Sequence, residues 1–592
     1  MKKIINKLNS FANMVLKGIK FLWKEYHFLV PFCMWKRYTN LFIDKVKKSF
    51  IIYYNPDSIK EYNDYLSKCI SQNIIINKQI KNNILVTIFI IVQDDKFLKE
   101  CIKSCINQTY TNISIEVIGY FDLKLIGKEK NVFFHCLNKK DNILTKLNDL
   151  VFKNNGNYLL FLDSNGVIDE NFVYFAIRDI LDNDSLSLIY TDEDFINENG
   201  VRCNPLFKPD FSYDTLLGYN YINHFSLINR EIFINVNGFD DNLKINYFYD
   251  LVLKISENTK DIKHISKILY HHYCYDNNHY DEYNTIVENA LKRRNLDAIN
   301  YRKGKYNILE YKMKSKPLIS IIIPTKDLSS TLDECLQSIY TKTTYDNFEI
   351  IIINNNSKED ETFILFNNYK KKYKNFYVID ANIEFNYSKI NNLAVENCKG
   401  EFIVFLNNDT SIITQNWLEL MLGYAQQNHI GAVGCKLLYP DNTIQHAGVI
   451  IGVNGVASHA FVGYKNTDVG VEGRLTIPYN YSAVTAACLM IEKNKFYEIG
   501  GFNEYLKVSY NDVDLNLKLV EKGYFNVFLP TVELYHNESK SRGLETTKEK
   551  YQQLLKEQKY MNEKWKNFIL NDPMYNKNYS KNKLFLLDNK RK

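Results

Sequence analysis

The sequence lacks the cysteine patterns of a zinc-binding or disulfide-stabilised protein. Its 592 residues include 11 cysteines, none of them in a CxxC pair and none at a regular spacing. An odd number of cysteines without a framework is typical of reduced thiols in the cytoplasm. We therefore expect a cytoplasmic protein whose stability does not depend on disulfides.

Long apolar runs are also scarce near the N-terminus. The longest one there, from His27 to Trp35, is too short to cross a bilayer and contains Pro31. No apolar segment followed by a small-residue cleavage site precedes it, so a secretory signal peptide is not predicted.

An excess of positive charge is missing from most of the chain. Residues 1–50 hold 11 Lys and Arg against 2 Asp and Glu, a local balance of +9 within a total of +6, which leaves the other 542 residues at −3. A body without excess positive charge has no electrostatic footprint for nucleic acid. Glycine-rich loops with a basic residue to hold a triphosphate are absent too, which disfavours a nucleotidyltransferase.

The basic N-terminal segment has the pattern of an amphipathic helix. Six apolar residues between Ile4 and Leu22 recur at steps of three and four, with lysines between them. Such a helix binds the anionic inner face of a membrane, or else packs on the protein or a partner. Both alternatives stay open at this stage.

The chain also repeats itself. A length of 592 residues exceeds what one hydrophobic core serves, and 45% of the residues are apolar, as in a globular protein. Two halves share four ordered segments, which pair residues 84–110 with 318–345, 155–166 with 399–410, 236–255 with 499–519, and 265–272 with 529–537. Strands alternate with helical patterns within each copy. We therefore predict two similar α/β domains, each with a mainly parallel, doubly wound sheet.

These repeats set the predicted boundaries. We expect an N-terminal helical segment at residues 1–80, a first domain at 81–300, a linker at 301–316, a second domain at 317–545, and a C-terminal helix and tail at 546–592.

In the second copy, polar residues follow three predicted strands. The run LISIIIP (318–324) leads into Thr325-Lys326-Asp327, a second strand ends in Asn354-Asn355-Asn356, and a third ends in Asn407-Asn408-Asp409. The carboxyl ends of neighbouring parallel strands meet at one edge, where such sheets bind ligands. Helix capping explains one such end, but three together favour a binding site.

The ordered strings SIIIPTKD, EIIIINNNS, KGEFIVFLNND, IGGFNE, NDVDLNLKL and LYHNESKSRG resemble family 2 glycosyltransferases of the GT-A fold. The resemblance covers roughly residues 82–570. It is nearest to two-domain, rhamnosyltransferase-like enzymes of bacterial surface polysaccharide or glycoprotein glycan synthesis. It implies two GT-A-like, Rossmann-like nucleotide-diphospho-sugar transferase domains.

The resemblance implies a divalent cation, Mn²⁺ or Mg²⁺, which neutralises the departing nucleoside diphosphate. The family's acidic metal motif here is Asn407-Asn408-Asp409, and Asp409 is the predicted ligand. Asn407 departs from the acidic pattern, which lowers the local negative charge. His536 stands at the place of a further ligand, and the repeat gives it a copy at His271.

The family also implies a general base that removes the proton from the attacking acceptor hydroxyl. Asp512 aligns with that base. Asp514 either holds the loop or meets the acceptor, although acidic residues in a first helical turn are favoured by the helix dipole anyway. Further residues are predicted to bind the donor or to shape the sugar and acceptor pockets: Thr325, Asp327, Asn355, Asn391, Asn392 and Asn407 for the donor, and Ser458, His459 and Thr485 for the pockets.

The first copy departs from the pattern. Its motif reads Asp163-Ser164-Asn165, and Phe248 occupies the place of Asp512. A phenyl ring accepts no proton. This copy is therefore a degenerate domain kept for acceptor binding or scaffolding, or else Asp192, Glu193 or Asp194 supplies an unusual base.

The resulting hypothesis is an inverting glycosyltransferase. It moves a hexosyl or deoxyhexosyl group from a nucleotide-diphosphate sugar to a growing surface glycan, with a lipid-linked, glycan or protein acceptor and no nucleic acid. It resides in the cytoplasm or peripherally on the inner membrane face through residues 1–50. The alternatives are a non-catalytic nucleotide- or glycan-binding scaffold and a bifunctional enzyme with two sites.

Overall fold

The computed structural model describes residues 62–67, 83–92, 94–120, 131–223, 225–273, 280–537 and 548–587. The chain forms two compact units, Asp57–Ser541 with Leu554–Lys592, and Met1–Pro56 with Arg542–Gln553. Of the smaller unit only residues 548–553 are described. The predicted amphipathic helix therefore lies outside the described residues. Within the described residues, no helix is long and apolar enough to cross a membrane.

The first half of the larger unit builds one sheet flanked by helices. In chain order its elements are β1 (Val86–Val92), α1 (Leu98–Ile106), β2 (Ile113–Gly119), β3 (Val132–Cys136), α2 (Ile143–Lys153), β4 (Tyr158–Asp163), β5 (Gly166–Ile168), α3 (Phe172–Asp182), β6 (Leu188–Ile196), β7 (Arg202–Leu206), α4 (Tyr213–Gly218), β8 (Ser226–Asn229), α5 (Arg230–Asn235), α6 (Tyr247–Asn258), β9 (Ile262–His272) and α7 (Tyr283–Arg293).

A hairpin of β10 (Ala298–Lys303) and β11 (Tyr306–Tyr311) follows. It occupies much of the segment predicted as a linker, residues 301–316, whose boundaries stay a prediction. Ile308, Leu309 and Tyr311 are buried in the hydrophobic core. Their burial, which the polar and basic composition of the segment concealed, makes the hairpin part of the fold.

The second half builds a second sheet. Its elements are β12 (Ile319–Thr325), α8 (Ser329–Lys342), β13 (Phe348–Asn354), α9 (Asp360–Lys372), β14 (Phe376–Asp380), α10 (Tyr387–Asn397), β15 (Phe402–Leu406), β16 (Thr410–Ile412), α11 (Trp417–Ala425), β17 (Ile430–Leu438), β18 (Ile444–His446), β19 (Val449–Ile451), β20 (Ala457–His459), β21 (Tyr479–Tyr481), β22 (Cys488–Glu492), α12 (Lys493–Glu498), α13 (Asn511–Glu521), β23 (Phe525–His536), α14 (Lys548–Lys564) and α15 (Lys566–Leu570).

The two sheets have the same topology. The first runs β3-β2-β1-β4-β8-β6-β9-β5, and the second runs β14-β13-β12-β15-β22-β17-β23-β16. In each, four neighbouring strands are parallel at one side, and the eighth position is a short strand antiparallel to the long strand beside it. The buried strands β1 and β12 are rich in β-branched residues, as expected for parallel strands covered on both faces. The predicted α/β class with two similar domains is confirmed.

The C-terminal tail joins both domains. Asn576 donates its amide N–H groups to the carboxylate of Asp192 at 2.9 and 3.0 Å and to the carbonyl of Lys208 at 2.8 Å. Four residues earlier, Asp572 accepts hydrogen bonds from Ser482 and from the amide of Ile451 in the second domain. Since Asp192 is fully buried, these donors replace water around its charge.

We expect Asn576→Ala to lower the free energy of unfolding by about 1–3 kcal/mol, because the buried Asp192 carboxylate loses a donor. Thermal and urea unfolding followed by circular dichroism would measure this change. Asn582→Ala, at an exposed tail position, should leave stability unchanged. Equal stability of both variants and the wild type would show that the hydrogen bonds of Asn576 do not stabilise the first domain.

Candidate functional site

In the second domain, the three strands whose ends carry polar residues are neighbours in the sheet, as predicted. Strands β13, β12 and β15 are parallel neighbours, so the residues after them share one edge. The side-chain amide of Asn408 donates to Thr325 Oγ1 at 3.0 Å. This bond ties the end of β12 to the predicted metal motif.

Asp409 and His536 lie side by side. Strand β16 pairs with β23 so that Thr410 faces His536, which places the preceding Asp409 beside the imidazole. Asp409 Oδ1 lies 3.2 Å from His536 Nε2, and both side chains are almost fully buried. Among the described residues, neither Asp409 Oδ1 nor His536 Nδ1 has a hydrogen-bond partner. Buried polar atoms without partners are unusual and call for an explanation, and a bound ion would supply one here.

This pair fits two neighbouring ligands of a divalent cation. An octahedral ion about 2.1 Å from each of two adjacent ligands separates them by about 3 Å, close to the observed distance. A carboxylate and an imidazole also form an acceptable donor set for Mn²⁺. The described residues contain no group of three or more His, Cys, Asp and Glu side chains arranged to hold a metal. Asp409 and His536 are the two side chains that would hold the cation here.

Asn407 contributes to the same place. Its amide nitrogen lies 3.3 Å from His536 Nε2, so the residue that departs from the acidic family pattern still contacts the predicted ligand.

A turn at Ala486 and Ala487 connects Asp512 to this site. Its carboxylate, half-buried at the start of α13, accepts hydrogen bonds from the amides of Ala486 at 3.1 Å and of Val513 at 2.8 Å. The amide of Asn407 donates to the neighbouring carbonyl of Ala487 at 3.0 Å. One turn thus contacts both Asp512 and the motif that carries Asp409. Thr485, predicted to shape the pocket, stabilises this turn by accepting from the amide of Ala487 at 3.3 Å.

Asp514 serves as an anchor. Its fully buried carboxylate accepts hydrogen bonds from Lys564 at 2.7 Å and from the indole of Trp565 at 2.8 Å, and it pairs with Lys518. Of its two predicted roles, contact with an acceptor does not suit a carboxylate enclosed in this way. The geometry instead fits the holding role.

Two predicted donor-binding residues hold the neighbouring loop. Asp327 has a left-handed backbone with φ of 52°, and its carboxylate accepts from the amides of Lys358 at 2.6 Å and Glu359 at 2.9 Å. Asn355 donates to the carbonyls of Ala381 and Ile383, both at 2.9 Å. These bonds shape the loops where a nucleotide is predicted to bind.

The adjacent asparagines of α10 differ from each other. Asn392 both donates to and accepts from the backbone of Phe502, which fixes the loop before α13. Asn391 is fully buried; it donates to Tyr387, while its Oδ1 has no hydrogen-bond partner among the described residues. Asn392 therefore has a structural role, and Asn391 keeps a free acceptor.

A histidine that sequence reasoning missed, His446, lies near the predicted ligand. Burial, then His459, then His536 hold the pKa of His446 well below its usual range, so the ring is neutral. The amide of Gly448 donates to its Nε2 at 3.3 Å, which leaves the proton on Nδ1, 2.6 Å from His459 Nδ1. Ser458, the other predicted pocket residue here, accepts a hydrogen bond from Asn454 at 3.3 Å. The string IQHAG, which contains His446, was the available signal.

Comparison with known proteins identifies this half of the chain. Residues 320–500 match the model of the family "Glycosyl transferase family 2". The second domain is a family 2 glycosyltransferase domain. The matched range contains β12 from Ser320 onward, the Asn407-Asn408-Asp409 motif and the turn that contacts Asp512, so the resemblance predicted from the sequence is confirmed.

Longer relatives share more of the chain. An uncharacterized protein, y4gI, of Sinorhizobium fredii is 38% identical over 72% of this chain and 48% of its own length. The O-antigen biosynthesis protein RfbC of Myxococcus xanthus is 32% identical over 65% of this chain and 31% of its own length. The chain therefore spans less than half of each relative. Among solved structures, GalNAc-T7 with UDP, GalNAc and Mn²⁺ aligns over 46% of this chain and 52% of its own chain, at 15% identity and a TM-score of 0.37.

The first domain has different residues at the corresponding positions. Gly166 faces His272 in the ladder where Thr410 faces His536, so the counterpart of His536 by strand register is His272. The sequence repeat, which aligns the LYH of residues 269–271 with the LYH of residues 534–536, points to His271, one residue away. Asn165, just before Gly166, stands at the place of Asp409.

The three acidic residues considered as an unusual base are fully buried and paired. Asp192 is bound by His264 at 2.9 Å, and Asp194 by Arg202 at 2.6 Å and by His271. Burial would raise the pKa of Glu193, but Lys208 and then His272 hold it well below its usual range. These carboxylates form a structural network and do not suit a general base.

Proposed function

We propose that the second domain transfers a sugar, with inversion, from a nucleotide-diphosphate donor to a growing cell-surface glycan. The observation that carries this proposal is the site itself, in which Asp409 lies 3.2 Å from His536 and one turn links their motif to Asp512. The family match of residues 320–500 supports the reaction class. The names of RfbC and of chondroitin synthase of Pasteurella multocida, 25% identical over 72% of this chain and 44% of its own length, support a polysaccharide product.

In the proposed reaction, Asp512 accepts the proton of the acceptor hydroxyl as its oxygen attacks the anomeric carbon from the side opposite the diphosphate. The bond from that carbon to the diphosphate oxygen breaks, and the nucleoside diphosphate leaves. Asp409 and His536 would hold a divalent cation, Mn²⁺ or Mg²⁺, which supplies charge neutralisation for the leaving group. Both side chains are almost fully buried, and a site that excludes water strengthens electrostatic stabilisation of a leaving group.

Acceptor and donor binding come from the surrounding loops in this proposal. The Asp327, Asn355 and Asn391 region would contact the nucleotide, and the hairpin with Ser458 and His459, together with Thr485, would border the sugar and acceptor. The first domain would bind or position the acceptor, since its three buried carboxylates are already paired. Location in the cytoplasm, with contact of residues 1–50 to the inner membrane face, belongs to the same proposal.

A donor screen tests the proposal. The full chain is incubated with UDP-, GDP- or dTDP-sugars, Mn²⁺ and a glycan acceptor, and release of nucleoside diphosphate is measured. We expect release with one nucleotide class, and at least a tenfold loss after chelation by EDTA that added Mn²⁺ restores. Nucleotide binding without any release across the screen would favour the scaffold alternative.

A further inference from the structure

The C-terminal helix α14 forms hydrogen bonds with the loop that leads to Asp512. Glu557, on α14, is fully buried. Its Oε1 accepts hydrogen bonds from the amides of Lys507 at 2.8 Å and Val508 at 3.1 Å, and its Oε2 accepts from the amide of Ser509 at 2.8 Å. One carboxylate therefore satisfies three consecutive backbone donors just before α13.

This arrangement is more specific than ordinary helix packing. A buried carboxylate is costly unless hydrogen bonds compensate its charge, and hydrogen bonds to an ionised acceptor are about twice as strong as neutral ones. Leucine or methionine would pack against a loop without that cost. A carboxylate at this position instead fixes the directions of three N–H groups.

The loop needs such an anchor because its backbone is strained. Tyr510, between the amides bound by Glu557 and α13, adopts the left-handed conformation with φ of 62°, which is unfavourable for a residue other than glycine. The first turn of α13 begins at Asn511, so the direction of Asp512 depends on how Tyr510 is held.

Neighbouring contacts come from the same face of the helix. Gln558 donates to the hydroxyl of Tyr510 at 3.1 Å, and the hydroxyl of Tyr560 accepts from Asn503 at 2.8 Å. Lys564 and Trp565 bind Asp514, two residues after Asp512. Contacts from α14 and the residue that follows it therefore lie on both sides of Asp512.

We propose that Glu557 is a positioning residue for sugar transfer, which holds the 507–509 loop so that the Asp512 carboxylate faces the acceptor hydroxyl. This inference rests on the proposed function of Asp512 as the base. It makes the C-terminal helix a working part of the glycosyltransferase site, although that helix lies outside the matched residues 320–500.

The test compares Glu557→Gln with Glu563→Gln in the full chain. The Gln side chain keeps the size of Glu557 but places an NH₂ group against backbone donors. We expect kcat of transfer to fall about 10- to 100-fold, since small misplacement of a catalytic group costs up to about 10²-fold, with KM for the donor within about twofold. Hydrogen exchange at residues 507–509, followed by mass spectrometry, should accelerate. Glu563 is exposed on the same helix, and its variant should match the wild type in both measurements.

A double variant separates positioning from general stability. If Glu557 acts through Asp512, adding Glu557→Gln to Asp512→Asn lowers transfer no further, because groups that act as a unit are not additive. Full activity of Glu557→Gln beside an inactive Asp512→Asn would overturn the inference alone. Full activity of Asp512→Asn would overturn the proposed base instead. If the wild type shows no transfer with any donor, the hydrogen-exchange measurement still applies. An unchanged exchange rate at residues 507–509 in Glu557→Gln would then show that Glu557 does not hold this loop.

Discussion

Asp512→Asn is expected to lower the rate of sugar transfer by about 10²- to 10⁴-fold, the usual contribution of a general base. The amide has nearly the shape of the carboxylate but accepts no proton at neutral pH. We expect the KM for the nucleotide sugar to stay within about threefold, because the predicted donor contacts lie outside α13. Initial rates of nucleoside diphosphate release with saturating acceptor would measure both quantities.

The matched control for this prediction is Asp360→Asn. Asp360, like Asp512, is an acidic residue in the first turn of a helix of the second domain, but it is exposed. If Asp512 served only to complement the helix dipole, the two variants would behave alike, with small losses of stability and normal transfer. Normal transfer by Asp512→Asn would therefore remove the base from the mechanism.

Asp409→Asn should raise the Mn²⁺ concentration for half-maximal activity by about 10²-fold or more. Loss of an outer partner of a metal ligand already costs about 10- to 100-fold in affinity, and loss of a direct ligand costs at least as much. Titration of Mn²⁺ against transfer rate, with a parallel measurement of free Mn²⁺ by electron paramagnetic resonance in the presence of nucleoside diphosphate, would follow the change. The binding measurement does not depend on turnover.

Asn407→Asp provides the opposite change at the same motif. It adds a carboxylate beside His536, so the half-maximal Mn²⁺ concentration should fall about tenfold or more, as a further anionic oxygen ligand strengthens binding of a hard cation.

Unaltered Mn²⁺ binding in Asp409→Asn would show that Asp409 is not a ligand, whatever the activity of the variant.

The repeat made the fold predictable. Continuous runs such as the Ile319–Thr325 strand can only be buried on both faces, and their order recurs in both halves of the sequence, so two similar sheets followed from the pattern. Local composition did not reveal the hairpin of β10 and β11, which depends on hydrogen bonds between two short strands and on burial against distant helices.

The spacing of the predicted site residues in the sequence did not show which of them lie together in the fold. Asp409 and His536 are 127 positions apart in the sequence, and pairing of β16 with β23 brings them together. Asp512 and Asp514 are two positions apart on one helix, yet the first is half-buried beside a turn and the second is enclosed by Lys564 and Trp565. Helix geometry turns neighbours two residues apart toward different surroundings.

The sequence by itself determined the two α/β domains, the family of the second one and the residue types at its strand ends, because periodicity and ordered motifs are local properties of the chain. Only the tertiary structure decided which of those residues meet, which are consumed by structural bonds, and that Glu557 holds the loop before Asp512. A hydrogen bond across 48 to 50 positions depends on the packing of whole helices, and no pattern within either segment encodes it.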